Sequence, residues 1–208
     1  MRLVGDIALD AEVRAIASGA ITDGSPVVVN SAGTVSAAGT LAQALGSRVT
    51  VDSGQVVLDS ACITFDSHNN RVVVVYGDKN NSNYGTVIVG TVDPSDNSIS
   101  FGSKVVYVSS TQTQQYPAIT FDSNSNRVVI VFNDSDSDGR AIVGTVDPSD
   151  NSISLGTAVE FESTSATYLG ATFDSNSNKV VITYQDGTDD GVAIVATVDS
   201  SDNSISYG

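Results

Sequence analysis

The sequence repeats itself three times, and that repetition restricts the fold more than any single motif in it. The units occupy residues 45–100, 101–154 and 155–206, and Tyr207-Gly208 begin a fourth. Each opens on Leu or Phe, then Gly, then Ser or Thr: Leu45-Gly46-Ser47, Phe101-Gly102-Ser103 and Leu155-Gly156-Thr157. Each continues with Thr-Phe-Asp-Ser, two Val-rich runs and a closing Asp-Asn-Ser-Ile-Ser. A period of roughly 50 residues is the mark of a repeat architecture, in which one supersecondary unit cannot bury its apolar surface alone and stacks on its neighbours.

Inside each unit, turn clusters separate four strand segments. In the first, Ala61–Asp66, Arg71–Tyr76, Gly85–Asp93 and Ser98–Val108 are apolar or β-branched, and Ser67–Asn70, Asn80–Asn83 and Pro94–Asn97 carry turn residues. Four consecutive antiparallel strands make a meander. The prolines of Asp93-Pro94 and Asp147-Pro148 fall at hairpins, where a missing N–H does no harm. The middle strands do not alternate: Val72-Val73-Val74-Val75-Tyr76 and Val128-Val129-Ile130-Val131-Phe132 are apolar at successive positions, so both faces of the sheet carry apolar side chains. Such a sheet needs cover on both sides, as the blades of a β-propeller have. The expected fold is all-β, with tandem four-stranded antiparallel repeats as propeller-like blades; a β-trefoil or β-prism is the alternative. Because propellers usually have about four to eight blades, three repeats imply a chain continuing beyond Gly208, closure across subunits, or one of the threefold folds.

Residues 1–44 lack the repeat signature and read as a small β-rich module. Ser25–Asn30 and Thr34–Ser36 form a hairpin around Ser31-Ala32-Gly33, Asp10–Ala17 reads as a short helix capped by Asp10 or, over Arg14–Ala17, equally as a strand, and Ser36–Ala44 is a connector. Composition agrees with β-structure, since 31 Val stand against 7 Leu and 21 Asp against 3 Glu. A formal charge of −15 repels phosphate backbones and anionic headgroups, so no nucleic-acid partner is expected. No apolar run is long enough for a membrane span, and the N-terminus lacks the apolar centre of a secretory signal.

Little in the chain points to catalysis, and the sequence reads as a non-enzyme with no catalytic residues. The single histidine, His68, sits in a turn where the other units have Asn124 and Asn176, and the single cysteine, Cys62, lies in an apolar strand. Most acids occupy turn positions that Asp favours for its own backbone geometry. The sharpest spacing is Asp134-Ser-Asp136-Ser-Asp138-Gly139, which places carboxylates as the first, third and fifth positions of a calcium loop do, but has Thr145 where the bidentate Glu belongs. Calcium on Asp134, Asp136 and Asp138 is the one cofactor reading available, against a solvated hairpin. Tyr84, Tyr116 and Tyr168, in or beside turns, are the candidates for contact with a glycan.

The run Ile119–Val131, followed by Ala-Ile-Val-Gly-Thr-Val and Ser-Ile-Ser-Leu-Gly-Thr, resembles repeats in tail-fibre-like and other virion proteins of marine tailed bacteriophages. Residues 17–30 also look like the small β-modules that open phage decoration and fibre proteins. That resemblance implies a structural protein at the phage particle surface, tail-fibre-like or capsid-decorating. Residues 1–44 would attach to other virion proteins, and a projecting, homo-oligomeric repeat region would adhere to the host surface, with a glycan as its ligand. A soluble carbohydrate- or calcium-binding propeller module of a cellular organism is the alternative.

Overall fold

A computed structural model describes residues 16–23, 27–37, 48–53, 56–111 and 117–208. The chain divides into two compact units, Met1–Ala44 and Leu45–Gly208. In the first, β1 (Val27–Val29) pairs antiparallel with β2 (Val35–Ala37) around a turn in which Gly33 adopts φ 75°, a conformation glycine takes without steric cost. Ala17 bridges Val35 in parallel. Most of the segment expected as helix or strand, Asp10–Ala17, lies outside the described residues, as do Tyr116 and most of the connector.

The second unit is all-β and carries three antiparallel sheets, each built mainly from one repeat, with the last strand of the first two contributed by the opening of the next repeat. The first sheet comprises β3 (Val56–Asp66), β4 (Arg71–Asp78), β5 (Tyr84–Asp93), β6 (Ser98–Phe101) and β7 (Val105–Thr111). The second comprises β8 (Ala118–Asp122), β9 (Arg127–Asn133), β10 (Gly139–Asp147), β11 (Ser152–Leu155) and β12 (Val159–Glu162). The third comprises β13 (Thr167–Asp174), β14 (Lys179–Gln185), β15 (Gly191–Asp199) and β16 (Ser204–Tyr207). In each, the first four strands pair consecutively as a meander, and the first strands β3, β8 and β13 of successive repeats lie side by side.

The fourth strand expected over Ser98–Val108 is two strands. β6 pairs the C-terminal half of β5, from Gly90↔Phe101 to Asp93↔Ser98, and β7 pairs its N-terminal half, from Tyr84↔Thr111 to Val87↔Val105. β11 and β12 divide β10 in the same way. The break falls at Gly102 and Gly156, whose N–H groups donate to Val89 and Val143 carbonyls. A Cβ at either glycine would collide with the carbonyl oxygen of the next sheet's turn, at Asn151 or Asn203. The strand is interrupted where a hairpin of the neighbouring sheet plugs in.

Stacking explains the non-alternating strands. Successive residues of β9 point to opposite faces: Val128, Ile130 and Phe132 join Val73, Val75, Val87 and Val89 of the first repeat, while Val129 and Val131 join Val180, Ile182 and Tyr184 of the third. All five β9 side chains are buried. Burying each contributes about 1.5–3 kcal/mol relative to exposure, so the middle sheet is the energetic centre of the unit. β15, in the third repeat, alternates between exposed and half-buried along much of its length.

Candidate functional site

The recurrent acids of the repeats are turn hardware. Asp66 Oδ1 accepts the N–H groups of His68 and Asn69 at 3.0 and 2.9 Å, Asp122 Oδ1 those of Asn124 and Ser125, and Asp174 Oδ1 those of Asn176 and Ser177. At the second hairpin, Asp93, Asp147 and Asp199 accept both the hydroxyl and the N–H of Ser95, Ser149 and Ser201. Those hydroxyl bonds hold the three carboxyls below the usual aspartate range. Asn closes each turn in the left-handed region, with φ of 55–56° at Asn70, Asn126 and Asn178 and 58° at Asn97, Asn151 and Asn203. Asn tolerates that region better than most residues because its short polar side chain bonds locally.

Two of these asparagines do more than shape a turn. Asn151 Oδ1 accepts from Arg71 Nε at 2.6 Å and Thr91 Oγ1 at 2.8 Å, both in the preceding repeat, while Arg71 Nη2 donates to the Pro148 carbonyl at 2.6 Å. One repeat later Asn203 Oδ1 accepts from Arg127 Nε at 2.6 Å and Thr145 Oγ1 at 2.9 Å, and Arg127 Nη2 reaches the Ser200 carbonyl at 2.5 Å. A repeated Arg–Thr–Asn clamp therefore locks each sheet to the next. Sequence reasoning missed it, although Arg71/Arg127, Thr91/Thr145 and Asn151/Asn203 recur at matching positions.

The Asp134–Asp138 loop is organised by an arginine. Asp134 Oδ1 accepts the N–H groups of Asp136 and Asp138 at 3.0 and 3.2 Å, and its Oδ2 accepts from Arg140 Nε at 2.5 Å. Arg140 Nη2 also lies 2.9 Å from Glu160 Oε2 and 3.6 Å from Asp138 Oδ2. Desolvation works against the Asp134 charge, but Arg140 and the loop N–H groups outweigh it and hold its carboxyl below the ordinary range. Among the described residues no group of three or more His, Cys, Asp or Glu side chains is arranged to hold a metal ion.

A second charged cluster lies beside Tyr76, where Lys104 Nζ sits 2.5 Å from Asp52 Oδ2 and 3.2 Å from Asp78 Oδ2. Burial opposes the ammonium, yet hydrogen bonds to the two carboxylates hold Lys104 above the ordinary lysine range. Burial raises Tyr76 to about 12. Cys62 is half-buried, its Sγ 3.0 Å from the Pro117 carbonyl oxygen, and burial pushes the thiol up, the reverse of what activates a nucleophile. His68 is exposed in its turn.

Of the tyrosines read as glycan contacts, Tyr84 is half-buried at the start of β5, whereas Tyr168 is 70% exposed with φ 52°. Tyr168 borders an open depression of about 440 Å³ on the third repeat, lined also by Thr183, Tyr184, Gln185, Gly191, Val192 and Ala193. No protein-family model matches the chain, and no curated protein is significantly similar to it.

Proposed function

We propose that this chain is a non-enzymatic structural and adhesive module whose repeats are propeller-like blades, serving as a tail-fibre-like or capsid-decorating protein on the surface of a tailed-phage particle. In that role residues 1–44 attach to other virion proteins and residues 45–208 project towards the host surface. One observation carries the structural half of the reading: the recurrent polar groups of the repeat, its Asp, Asn, Arg and Thr, are engaged in turns and inter-repeat clamps rather than converging on a cleft. Four-stranded meanders stacked face to face, first strands side by side, support the blade arrangement. The phage assignment rests on the resemblance of residues 119–131 and their sequel to virion repeats.

The test is reconstitution on phage particles lacking this protein. The full chain is expected to bind them stoichiometrically, and a chain with charged residues substituted for Val27–Val29 is expected to stay in solution. A chain that ignores particles but gives a specific glycan-array signal lost in Tyr168→Ala would overturn the virion reading. It would favour the carbohydrate-binding module, which the exposed Tyr168 beside its depression supports.

A further inference from the structure

Lys104, just ahead of β7, brings an amine into the first sheet at a position where the second sheet has Ala158. Its Nζ lies 2.5 Å from Asp52 Oδ2 and 3.2 Å from Asp78 Oδ2, and those two side chains are 1% and 6% exposed. The second sheet has Val108 and Phe132 where the first has Asp52 and Tyr76, so it lacks the amine, the carboxylate and the phenol together. The third sheet has Glu162 and Tyr184 at those positions, and there the Tyr184 hydroxyl donates to Glu162 at 3.2 Å. In the first sheet the ammonium holds the carboxylate instead. The Tyr76 hydroxyl is buried with no hydrogen-bond partner among the described residues, near enough to Lys104, Asp52 and Asp78 for their charges to act on it.

These four groups are the parts of an amide-forming centre. Once a proton has crossed the short contact between Lys104 and Asp52, an amine and a carboxylic acid are left held together, which removes the entropic cost of bringing them together. A second carboxylate carries protons between them, and an unpaired buried hydroxyl is the donor for an oxygen that becomes charged. Burial favours the product, because a neutral amide replaces an ion pair that has been taken out of water. Lys104 itself is 39% exposed, so the released water has a path out.

We propose that Lys104 and Asp52 join through an isopeptide bond that the folded chain forms on its own side chains, without a cofactor. A proton passes from Lys104 Nζ to Asp52 Oδ2. The nitrogen lone pair then adds to Asp52 Cγ, the C–N bond forms, and the displaced carbonyl pair rests on the other oxygen, to which Tyr76 donates. Asp78 takes a proton from the nitrogen and delivers it to the hydroxyl oxygen; the C–O bond breaks, one water leaves and the carbonyl re-forms. Nothing is oxidised or reduced, and Asp78 ends as the carboxylate it began as. The hydrogen bonds that keep Lys104 charged make the first transfer the slow step. The joined residues are 52 apart in sequence, so the link closes β3 to β6 into one covalent loop and ties the approach to β7 to the approach to β3. None of this depends on the virion reading.

Intact-mass spectrometry of the denatured chain, fresh and after long incubation below its melting temperature, reads the bond as the loss of one water, about 18 Da. Protease digestion is expected to yield a branched peptide carrying both Asp52 and Lys104. Lys104→Arg, which keeps the charge and the bonds to both carboxylates but has no amine to acylate, is expected to retain its full mass, as is Asp78→Ala. Asp52→Asn should lose ammonia in place of water, about 17 Da. Tyr76→Phe, the residue of the second sheet, should form the link about a hundredfold more slowly, as loss of an oxyanion donor does. A parent chain that keeps its full mass throughout, a water loss that persists in Lys104→Arg, or a branch at a carboxylate other than Asp52 would overturn the proposal.

Discussion

Replacing Asn203 by glycine, alanine and aspartate separates what its backbone contributes from what its side chain clamps. The side chain accepts one hydrogen bond from a guanidinium and one from a hydroxyl, both at close range. A charge-assisted bond contributes about 1.5–3 kcal/mol and a neutral one about 0.5–1.5. Arg127 keeps its bonds to the carbonyls of Ser125, Asn126 and Ser200 and is half-buried, so water recovers part of the loss. The lower end of each range therefore applies, giving about 2 kcal/mol for the side chain. Asn203→Gly adds about 0.5–1 kcal/mol of unfolded-state entropy, for a total near 2–3. Asn203→Ala avoids that entropy but forces a Cβ into the left-handed region at φ 58°, which costs about 1–2 kcal/mol, for a total near 3–4. Asn203→Asp keeps both the acceptor and the tolerance for positive φ, and stays within about 1 kcal/mol of the parent at neutral pH. Urea unfolding followed by circular dichroism reads all three. An alanine variant no worse than the glycine one would refute the backbone account, and three variants within about 0.5 kcal/mol of the parent would refute the clamp.

In the core, Ile130→Ala and Val129→Ala act on opposite faces of the middle sheet and are each expected to cost about 2–4 kcal/mol, while Ile63→Ala, at the exposed position equivalent to Ile119, costs under about 1 by the same unfolding assay. The Tyr107 hydroxyl is buried with no hydrogen-bond partner among the described residues, and its ring packs edge-on against Phe132 at 5.2 Å. Tyr107→Phe is therefore expected to raise stability by about 1 kcal/mol; a loss of that size would show a partner for the hydroxyl. Asp93, Asp147 and Asp199 titrate below the ordinary aspartate value in the folded chain. Their contribution is thus complete above pH of about 4 and disappears only as pH falls further. Melting temperature measured from pH 7 to 2.5 should not decline until that range, and a decline centred between pH 5 and 7 would contradict the assignment. With Arg140 bonded to Asp134 and Glu160, millimolar calcium is expected to leave the melting temperature of the parent unchanged; a rise of several degrees, absent in Asp134→Asn, would establish the calcium loop.

The repeat signature made the sheets readable, because every hairpin is announced locally. Asp bonds N–H groups two and three residues on, and Asn occupies the one left-handed position, so the turns and the pairing they impose follow from residues close in sequence. The apolar runs of β4 and β9 likewise required cover on both faces before any neighbour was known. The divided fourth strand was not legible. Its cause is the Asn151 and Asn203 turns pressing on Gly102 and Gly156 from another sheet, and nothing in the local composition of Ser98–Val108 marks that pressure. The Arg–Thr–Asn clamps escaped for the same reason, since Arg71 and Asn151 are remote along the chain and each has an ordinary local explanation. The carboxylates of Asp134–Asp138 show the converse: a familiar spacing, read locally, did not reveal that Arg140 would lie among them.

The sequence by itself determined the strands, their turns and the need for stacking, because these depend on short-range hydrogen bonding and on which side chains water excludes. Only the tertiary structure decided which face meets which neighbour, where a strand must break to admit a turn, and which valines at the ends of the stack are left facing solvent. Those outcomes depend on distances between residues far apart in the chain, and such distances exist only once the sheets are packed.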